Sequence, residues 1–238
     1  RKLSIDIKTR KIITYSINQN SDVKIKLLNK NDRFNDFFLI FKKGLISNIE
    51  GNFQFKLNLL GNHNILNATG AIISSLIAKV PLKNIQRSLF EFEGVKRRFT
   101  FLGKIKKASI YDDYAHHPTE IKASYDIAKQ ISQNRIIVLF QPHRYSRTKI
   151  LINEFIKILK EIDILYVLDI YAAGEKPIKK ISSQNLVKKI KIKNKNVFYL
   201  NNKVNLNSTL QRYYDSDNTI IFMGAGSITT MAHTLIAR

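Results

Sequence analysis

Hydrophobic and polar positions change their rhythm near residue 97. Before that point, short segments rich in β-branched and aromatic residues are separated by Asn- and Asp-rich turns, which predicts strands at residues 11–17, 22–28, 37–44 and 53–61. Two helical apolar patterns follow, and the second opens on a proline and closes on a glycine, at residues 64–80 and 81–94. We therefore expect residues 1–96 to form a β-rich part capped by two helices.

The second part, residues 97–238, alternates strands with helices. Short apolar segments predict strands at residues 108–114, 135–140, 163–170, 196–200 and 219–224. The segments between them predict helices that begin at Pro118 and near Thr148, Ser183 and Asn205, with a further helix at the end. This alternation is typical of an α/β fold with a mostly parallel sheet and helices on both faces.

Three polar motifs follow predicted strands of this sheet: YDDYAHHPTE at 111–120, FQPHRYSRT at 140–148 and MGAGSI at 223–228. Ligands of open α/β sheets bind beyond the carboxyl ends of the strands, and guanidinium groups suit a carboxylate or a phosphate. We expect the first two motifs to lie at neighbouring strand ends and to open into one crevice. The alternatives are a histidine pair exposed by accident, an aspartate that only caps a helix, and a glycine turn that serves packing instead of an anion.

The formal net charge of +22, from 40 basic and 18 acidic residues, would attract polyanions. The lysines are scattered through every predicted element and do not form a stripe interleaved with aromatic residues, so we interpret them as a compositional bias and expect no nucleic-acid partner. The densest basic run, residues 186–198, is interpreted as a solvated helix end that leads into a strand. An anionic partner for that run is the alternative.

The chain has no cysteine, which excludes disulfides, thiolate metal sites and a cysteine nucleophile. This agrees with a reducing compartment, and we expect a cytoplasmic protein. No apolar run approaches the roughly 20 residues that a membrane span needs, and no secretory signal pattern opens the chain. We therefore expect a soluble protein without a membrane partner.

Six stretches, in order, resemble motifs of the Mur ligase family: GNHNILNATGA, FEGVKRRF, DDYAHHPTEIKA, FQPHRYSRT, DIYAAGEKPI and MGAGSI. They span residues 61–228, whereas residues 1–60 resemble the family only loosely. The resemblance implies that residues 1–96 are the end of a central, ATP-binding domain. It also implies that residues 97–238 are a carboxyl-terminal, Rossmann-like domain.

The same resemblance implies an activity. Mur ligases couple ATP hydrolysis to amide formation through an acyl phosphate, with Mg²⁺ as cofactor, in peptidoglycan biosynthesis. The implied partners here are UDP-N-acetylmuramate and L-alanine, although glycine or serine would fit the acceptor role. Bringing polyanions and a carboxylate together requires cations, and the acyl phosphate must be shielded from water.

Matched residue by residue, the resemblance implies an ATP site on His63, Asn67, Arg98 and Asp113. His63 and Asn67 would face the adenine, Arg98 the ribose and phosphates, and Asp113 the ATP as the domains close. Two alternatives stay open: Arg97 in place of Arg98, and a helix start capped by Asn62 or Asn64 in place of the adenine contact.

The substrate site implied by the resemblance consists of Tyr114, His116, His117, Arg144 and Arg147. Tyr114 and His116 would line the muramyl and alanine pocket, and His116 joins Asp113 as a catalytic candidate. For His117 the alternative is a role in orienting its neighbour or in packing. The arginine pair would hold the substrate carboxylate or the incoming amino acid.

Several parts of a complete ligase are not found in these 238 residues. There is no G-x-x-x-x-G-K-[ST] loop for ATP phosphates, no UDP-binding domain, and no counterpart of the glutamate and histidine that bind Mg²⁺ in the family, so we assign no metal ligand. The chain also begins with Arg1. We expect the carboxyl-terminal part of a longer ligase, inactive alone, with a non-catalytic relic or binding domain as the alternative.

Overall fold

The computed structural model describes residues 12–28, 34–201 and 204–237. The chain divides into two compact units after Gly94, and each is described by itself. The start of the strand predicted at residues 11–17 lies outside the described residues. It remains a prediction that residues 1–96 are the end of a central, ATP-binding domain and that residues 97–238 are a carboxyl-terminal domain.

The first unit contains a four-stranded sheet in the order β1-β2-β3-β4, where β1 is parallel to β2 and the other neighbours are antiparallel. The strands are β1 (Tyr15–Ser16), β2 (Val23–Leu27), β3 (Asn35–Ile46) and β4 (Ile49–Leu57). All four predicted strands are therefore present, although β1 is short. It ends at Ser16 because the Ser16 hydroxyl accepts hydrogen bonds from the amides of Asn18 and Gln19 and so turns the chain.

Both predicted helices of the first unit are confirmed as α1 (Asn62–Ile77) and α2 (Leu82–Glu91). Apolar residues of both helices pack on the buried face of β2, β3 and β4. The alternative that Asn62 or Asn64 caps α1 is wrong. The cap is Gly61, whose φ of 92° suits glycine, and the Asn64 side chain instead donates to the Leu60 carbonyl oxygen at 2.8 Å.

The second unit is built on a six-stranded sheet in the order β5-β6-β10-β7-β8-β9. The strands are β5 (Thr100–Ile105), β6 (Ala108–Asp113), β7 (Ile136–Phe140), β8 (Ile164–Leu168), β9 (Val197–Leu200) and β10 (Thr219–Met223). All neighbours are parallel except the edge pair of β5 and β6, so the predicted, mostly parallel sheet is confirmed. Sequence reasoning missed β5, which is half-exposed and loses its register between Phe101 and Gly103.

Helices cover both faces of this sheet, as predicted. One face packs against α3 (Pro118–Ile131), α5 (Ile152–Leu159) and α6 (Ser183–Lys191). The other packs against α7 (Leu206–Leu210), a 3₁₀ turn at Gln211–Tyr213 and α8 (Ile228–Ile236). The helix expected from about Thr148 starts earlier, as α4 (Tyr145–Ile150), and Leu151 (φ −103°, ψ 22°) separates it from α5.

The position of β10 corrects one expectation. The ends of β6 and β7 were expected to be neighbours, but β10 lies between these strands and pairs with both. The strand is fully buried and lies in register with Asp113 on one side and Phe140 on the other. Within the described residues, no helix is both long and apolar enough to cross a membrane.

Replacing Phe222, in the middle of β10, should destabilise the second unit. Its ring is fully buried, so Phe222→Ala leaves a cavity and should lower the free energy of unfolding by about 3–5 kcal/mol. Phe101→Ala in the edge strand is the matched control, because Phe101 is 53% exposed. Urea denaturation followed by circular dichroism measures both, and equal losses would contradict the central place of β10.

Candidate active site

The carboxylate of Asp113 fastens the loop that follows β6. It is 3% exposed and accepts hydrogen bonds from the Ser124 hydroxyl at 2.7 Å and from the backbone amides of Ala115 at 2.7 Å and Phe99 at 3.0 Å. Burial raises the pKa of Asp113 to about 6, against the lowering effect of these donors. Both carboxylate oxygens are therefore engaged by the chain itself.

Arg97 ties the segment before β5 to the loop after β10. Its guanidinium donates to the Gly224 carbonyl oxygen at 3.0 Å and lies 4.7 Å from the centre of the Tyr114 ring. Its Nε lies 3.8 Å from the buried carboxylate of Asp112, which also accepts from the Thr229 hydroxyl at 3.0 Å. Burial raises the pKa of Asp112 above its ordinary value. Arg97 thus has a structural position inside the second unit.

Arg98 has a different environment from its neighbour. Its side chain is 53% exposed, and its guanidinium lies 3.8 Å from Glu120 and 5.6 Å from the Tyr114 ring centre. An ion pair this exposed contributes little stability. The Arg98 side chain is therefore accessible to a ligand.

The two histidines after β6 have different hydrogen-bond partners. His117 is the N-cap of α3, with Nδ1 3.4 Å from the Thr119 amide, and Glu120 completes a capping box by accepting from the His117 amide. His116 uses Nδ1 to reach the Tyr114 carbonyl oxygen at 2.9 Å, which leaves Nε2 as the nitrogen for a ligand. The His116 ring also packs edge-on against the Tyr114 ring, with centres 5.0 Å apart.

The motif after β7 meets the motif after β6 despite the intervening strand. The rings of His116 and His143 lie 5.8 Å apart, centre to centre. His143 stacks on Tyr171, which follows β8, and its Nδ1 lies 3.1 Å from the Arg147 guanidinium. Burial, followed by the Arg147 charge, lowers the pKa of His143 below its ordinary value, which favours the neutral imidazole.

Arg144 and Arg147 stand at the start of α4. Arg144 is the N-cap and adopts an unusual left-handed φ of 72°. Its side chain is 50% exposed and lies 3.8 Å from Glu175, which follows β8. Glu175 also accepts from the Ser146 amide at 2.9 Å and from the Ser146 hydroxyl at 2.6 Å.

The glycines after β10 allow the loops to approach closely. A Cβ atom on Gly226 would lie 2.5 Å from the Gln141 Oε1 and 2.6 Å from the Tyr171 Cγ, and one on Gly224 would lie 2.9 Å from the Gln141 carbonyl oxygen. Gln141 is 1% exposed and joins its loop to α8, because its Oε1 accepts from the Ile228 amide at 3.1 Å. These contacts favour the packing interpretation of the Gly-x-Gly motif.

The structure thus brings together most of the site residues expected from the sequence. Those that gather at the carboxyl ends of β6 and β7 are Arg98, Asp113, Tyr114, His116, His117, Arg144 and Arg147. His63 and Asn67 belong to the first unit, where they are four residues apart at the beginning of α1 and therefore share a face of that helix. His63 is half-buried and Asn67 is exposed.

Sequence reasoning missed two residues of this region, Gln141 and Glu175. The signal for Gln141 was present, because a polar residue directly follows the fully apolar strand IIVLF. Glu175 lies in the stretch DIYAAGEKPI, whose contacts with α4 depend on how two loops fold together. Such contacts leave no periodic pattern in a sequence.

Comparison with known proteins identifies relatives of the whole chain. The family described as Mur ligase, glutamate ligase domain, matches residues 97–226. UDP-N-acetylmuramate–L-alanine ligase of Rickettsia felis is 41% identical over 246 residues, which covers 100% of this chain and 51% of that protein. The enzyme of the same name from Wigglesworthia glossinidia brevipalpis is 36% identical over 249 residues, with 100% and 51% coverage. The chain spans about half the length of the curated relatives it matches.

Solved structures share the fold. The UDP-N-acetylmuramate-alanine ligase MurC of Thermotoga maritima superposes with a TM-score of 0.74 at 23% identity, covering 95% of this chain and 47% of that one. MurF of Acinetobacter baumannii gives a TM-score of 0.71 at 19% identity, with 100% and 49% coverage. At these identities the likeness concerns the fold alone.

The raised pKa of Asp113 predicts a distinctive pH dependence of stability. Since the folded state holds this proton more tightly than the unfolded state, deprotonation costs stability as pH rises from about 4 towards 7, by about 3 kcal/mol at most. Asp113→Asn lacks this titration. The free energy of unfolding of the wild type, minus that of Asp113→Asn, should therefore decrease as the pH rises from about 4 towards 7.

Urea unfolding at several pH values measures this difference. Asp215→Asn is the matched control, because its side chain is 73% exposed. Titrations shared by wild type and variant cancel in the comparison. Parallel curves for wild type and Asp113→Asn would contradict the burial of this carboxylate.

Proposed function

The chain belongs to the Mur ligase family, and on that premise we propose that it is the carboxyl-terminal half of an ATP-dependent ligase that joins L-alanine to UDP-N-acetylmuramate in peptidoglycan biosynthesis. The proposal rests on relatives of that name that match the entire chain. The observation that carries it is the meeting of His116, His143 and Arg147 across two loops, which places imidazole and guanidinium groups together.

The arginine pair supports binding of a carboxylate. Arg144 is half-exposed, and Arg147 is held by His143 through a contact of 3.1 Å. Guanidinium forks match a carboxylate in shape and charge. In the proposed reaction, these residues would hold the carboxylate of L-alanine and so orient its amine towards the activated muramyl carboxyl group.

His116 and Tyr114 would form the wall of the same pocket. The bond from Nδ1 of His116 to the Tyr114 carbonyl oxygen fixes the ring, so that Nε2 could hydrogen-bond a substrate. His117 contributes indirectly in this proposal, because as the N-cap it fixes the start of α3 and with it the position of His116. Asp113 likewise would hold the loop in place through its three donors.

For the nucleotide, the exposed Arg98 is better suited than Arg97. Arg97 is engaged with Gly224, Asp112 and Tyr114, whereas Arg98 has an accessible guanidinium that could reach a ribose or a phosphate. His63 and Asn67 on the first unit would supply imidazole and amide groups for the adenine. ATP and UDP-N-acetylmuramate would both be substrates of the proposed full-length ligase.

The described residues form no cluster of side chains that could hold Mg²⁺ unaided. Residues 12–28, 34–201 and 204–237 contain no group of three or more metal-binding side chains of the His, Cys, Asp and Glu kinds. The carboxylates of Asp112 and Asp113, which are neighbours in sequence, are each engaged with hydroxyl or amide donors. We therefore assign no metal ligand and no step through Mg²⁺ to this chain.

A full-length ligase that carries this chain as its carboxyl-terminal half tests the proposal. With ATP, UDP-N-acetylmuramate and L-alanine, it should form UDP-N-acetylmuramoyl-alanine, detected by mass spectrometry. Arg147→Ala and Asp113→Asn should each lower the rate by about 100-fold or more, because each removes a charged group that organises the site.

Arg135→Ala is the matched control, since Arg135 is an exposed arginine at the amino end of β7, whereas the site lies at the carboxyl end of that strand. Circular dichroism checks that every variant is folded. Activity that survives both site changes would refute the assignment, and a folded full-length protein that makes no product would favour a non-catalytic binding domain.

A further inference from the structure

Glu175 holds two loops together at the arginine pair. It lies in the segment after β8, and its carboxylate accepts from the amide and the hydroxyl of Ser146 at 2.9 and 2.6 Å. The same carboxylate lies 3.8 Å from the Arg144 guanidinium. The Ser146 hydroxyl bond, then the Ser146 amide bond, lowers the pKa of Glu175, so the group is charged at neutral pH. One side chain therefore reaches both the backbone of α4 and the half-exposed guanidinium of Arg144.

The backbone at Arg144 needs such support. A φ of 72° is uncommon for a residue with a side chain and is strained. The segment after β8 holds this turn through the Tyr171 carbonyl oxygen, which accepts from the Arg144 amide at 2.8 Å, and through Glu175. Strained turns of this kind persist where the surroundings fix them, and they are common at binding sites.

Glu175 also lowers the positive charge around the arginine pair. Arg144 and Arg147 carry two positive charges, and Glu175 offsets one of them, while the lowered pKa of His143 keeps that imidazole neutral. A single net positive charge matches a carboxylate monoanion better than a phosphate dianion. The arrangement thus favours the carboxylate of an amino acid over a phosphate group.

We propose that Glu175 is a positioning residue that fixes Arg144 and the start of α4 for binding of the amino-acid carboxylate. The inference rests on the proposed ligase function and extends it to a residue outside the expected site. Glu175 acts through Arg144 and Ser146 and need not touch the substrate itself.

Steady-state kinetics of the full-length ligase test this inference. In Glu175→Gln, the KM for L-alanine should rise about tenfold, while kcat and the KM for UDP-N-acetylmuramate should change less than about twofold. A merely structural role would lower the amount of active enzyme and would leave both KM values unchanged. Glu175→Asp, which keeps the charge but shortens the side chain, should restore part of the affinity.

Two further variants make the result decisive. Glu161→Gln is the matched control, because Glu161 is an exposed carboxylate that precedes β8, whereas Glu175 follows that strand, and it forms an ion pair with Lys160 at 3.2 Å. Ser146→Ala removes the hydroxyl partner of Glu175 and should raise the same KM severalfold, which keeps the test open if Glu175→Gln fails to fold.

The outcomes separate the two proposals. An active wild type with an unchanged KM for L-alanine in both Glu175→Gln and Ser146→Ala would overturn the role of Glu175 alone. An equal rise in the KM for both substrates would also overturn it. A folded wild type that forms no product from L-alanine would refute the ligase function, and the inference would fall with it.

Discussion

The pairing of β10 with both β6 and β7 is the constraint on which the candidate site depends. It separates β6 from β7 by two strand spacings, which is roughly 10 Å. The motifs after these strands must span that distance, and they do so through His116 and His143, whose rings approach to 5.8 Å. The loop after β10 lies between these two motifs, where there is little space for side chains, which explains why two of its residues are glycines packed against Gln141 and Tyr171.

Two sets of charged groups near the candidate site have different physical roles. Asp112, Asp113 and Arg97 are engaged with backbone or hydroxyl partners and hold the loops in place. Arg98 and Arg144 are about half-exposed, and each lies 3.8 Å from an acidic side chain. Uncovering a group of the first set would break its buried hydrogen bonds, so these groups are unsuited to bind a ligand. Groups of the second set can exchange water for an anion at little cost in free energy.

The sequence was sufficient for most of the fold, because buried parallel strands such as IIVLF and TIIFM are wholly or almost wholly apolar and their helices carry clear start signals, such as Pro118. It could not reveal that β10 inserts between β6 and β7, since strand order is a long-range property. It also missed β5, whose half-exposed edge has a weak pattern. For the candidate site, motifs predicted residues that the structure brings together, and geometry then distinguished the capping His117 from His116 and the engaged Arg97 from the accessible Arg98.

The side chain of Gln141 has a consequence for heat resistance. It joins the end of β7 to the first turn of α8 through the Ile228 amide. The glycine loop after β10 packs against Gln141 and Tyr171, so the segments after β7, β8 and β10 are packed together. Because these segments share buried contacts, we expect them to open together and not one at a time. Warming should therefore leave the arrangement of imidazole and guanidinium groups intact until the sheet itself melts, so that binding capacity and folded structure disappear at the same temperature.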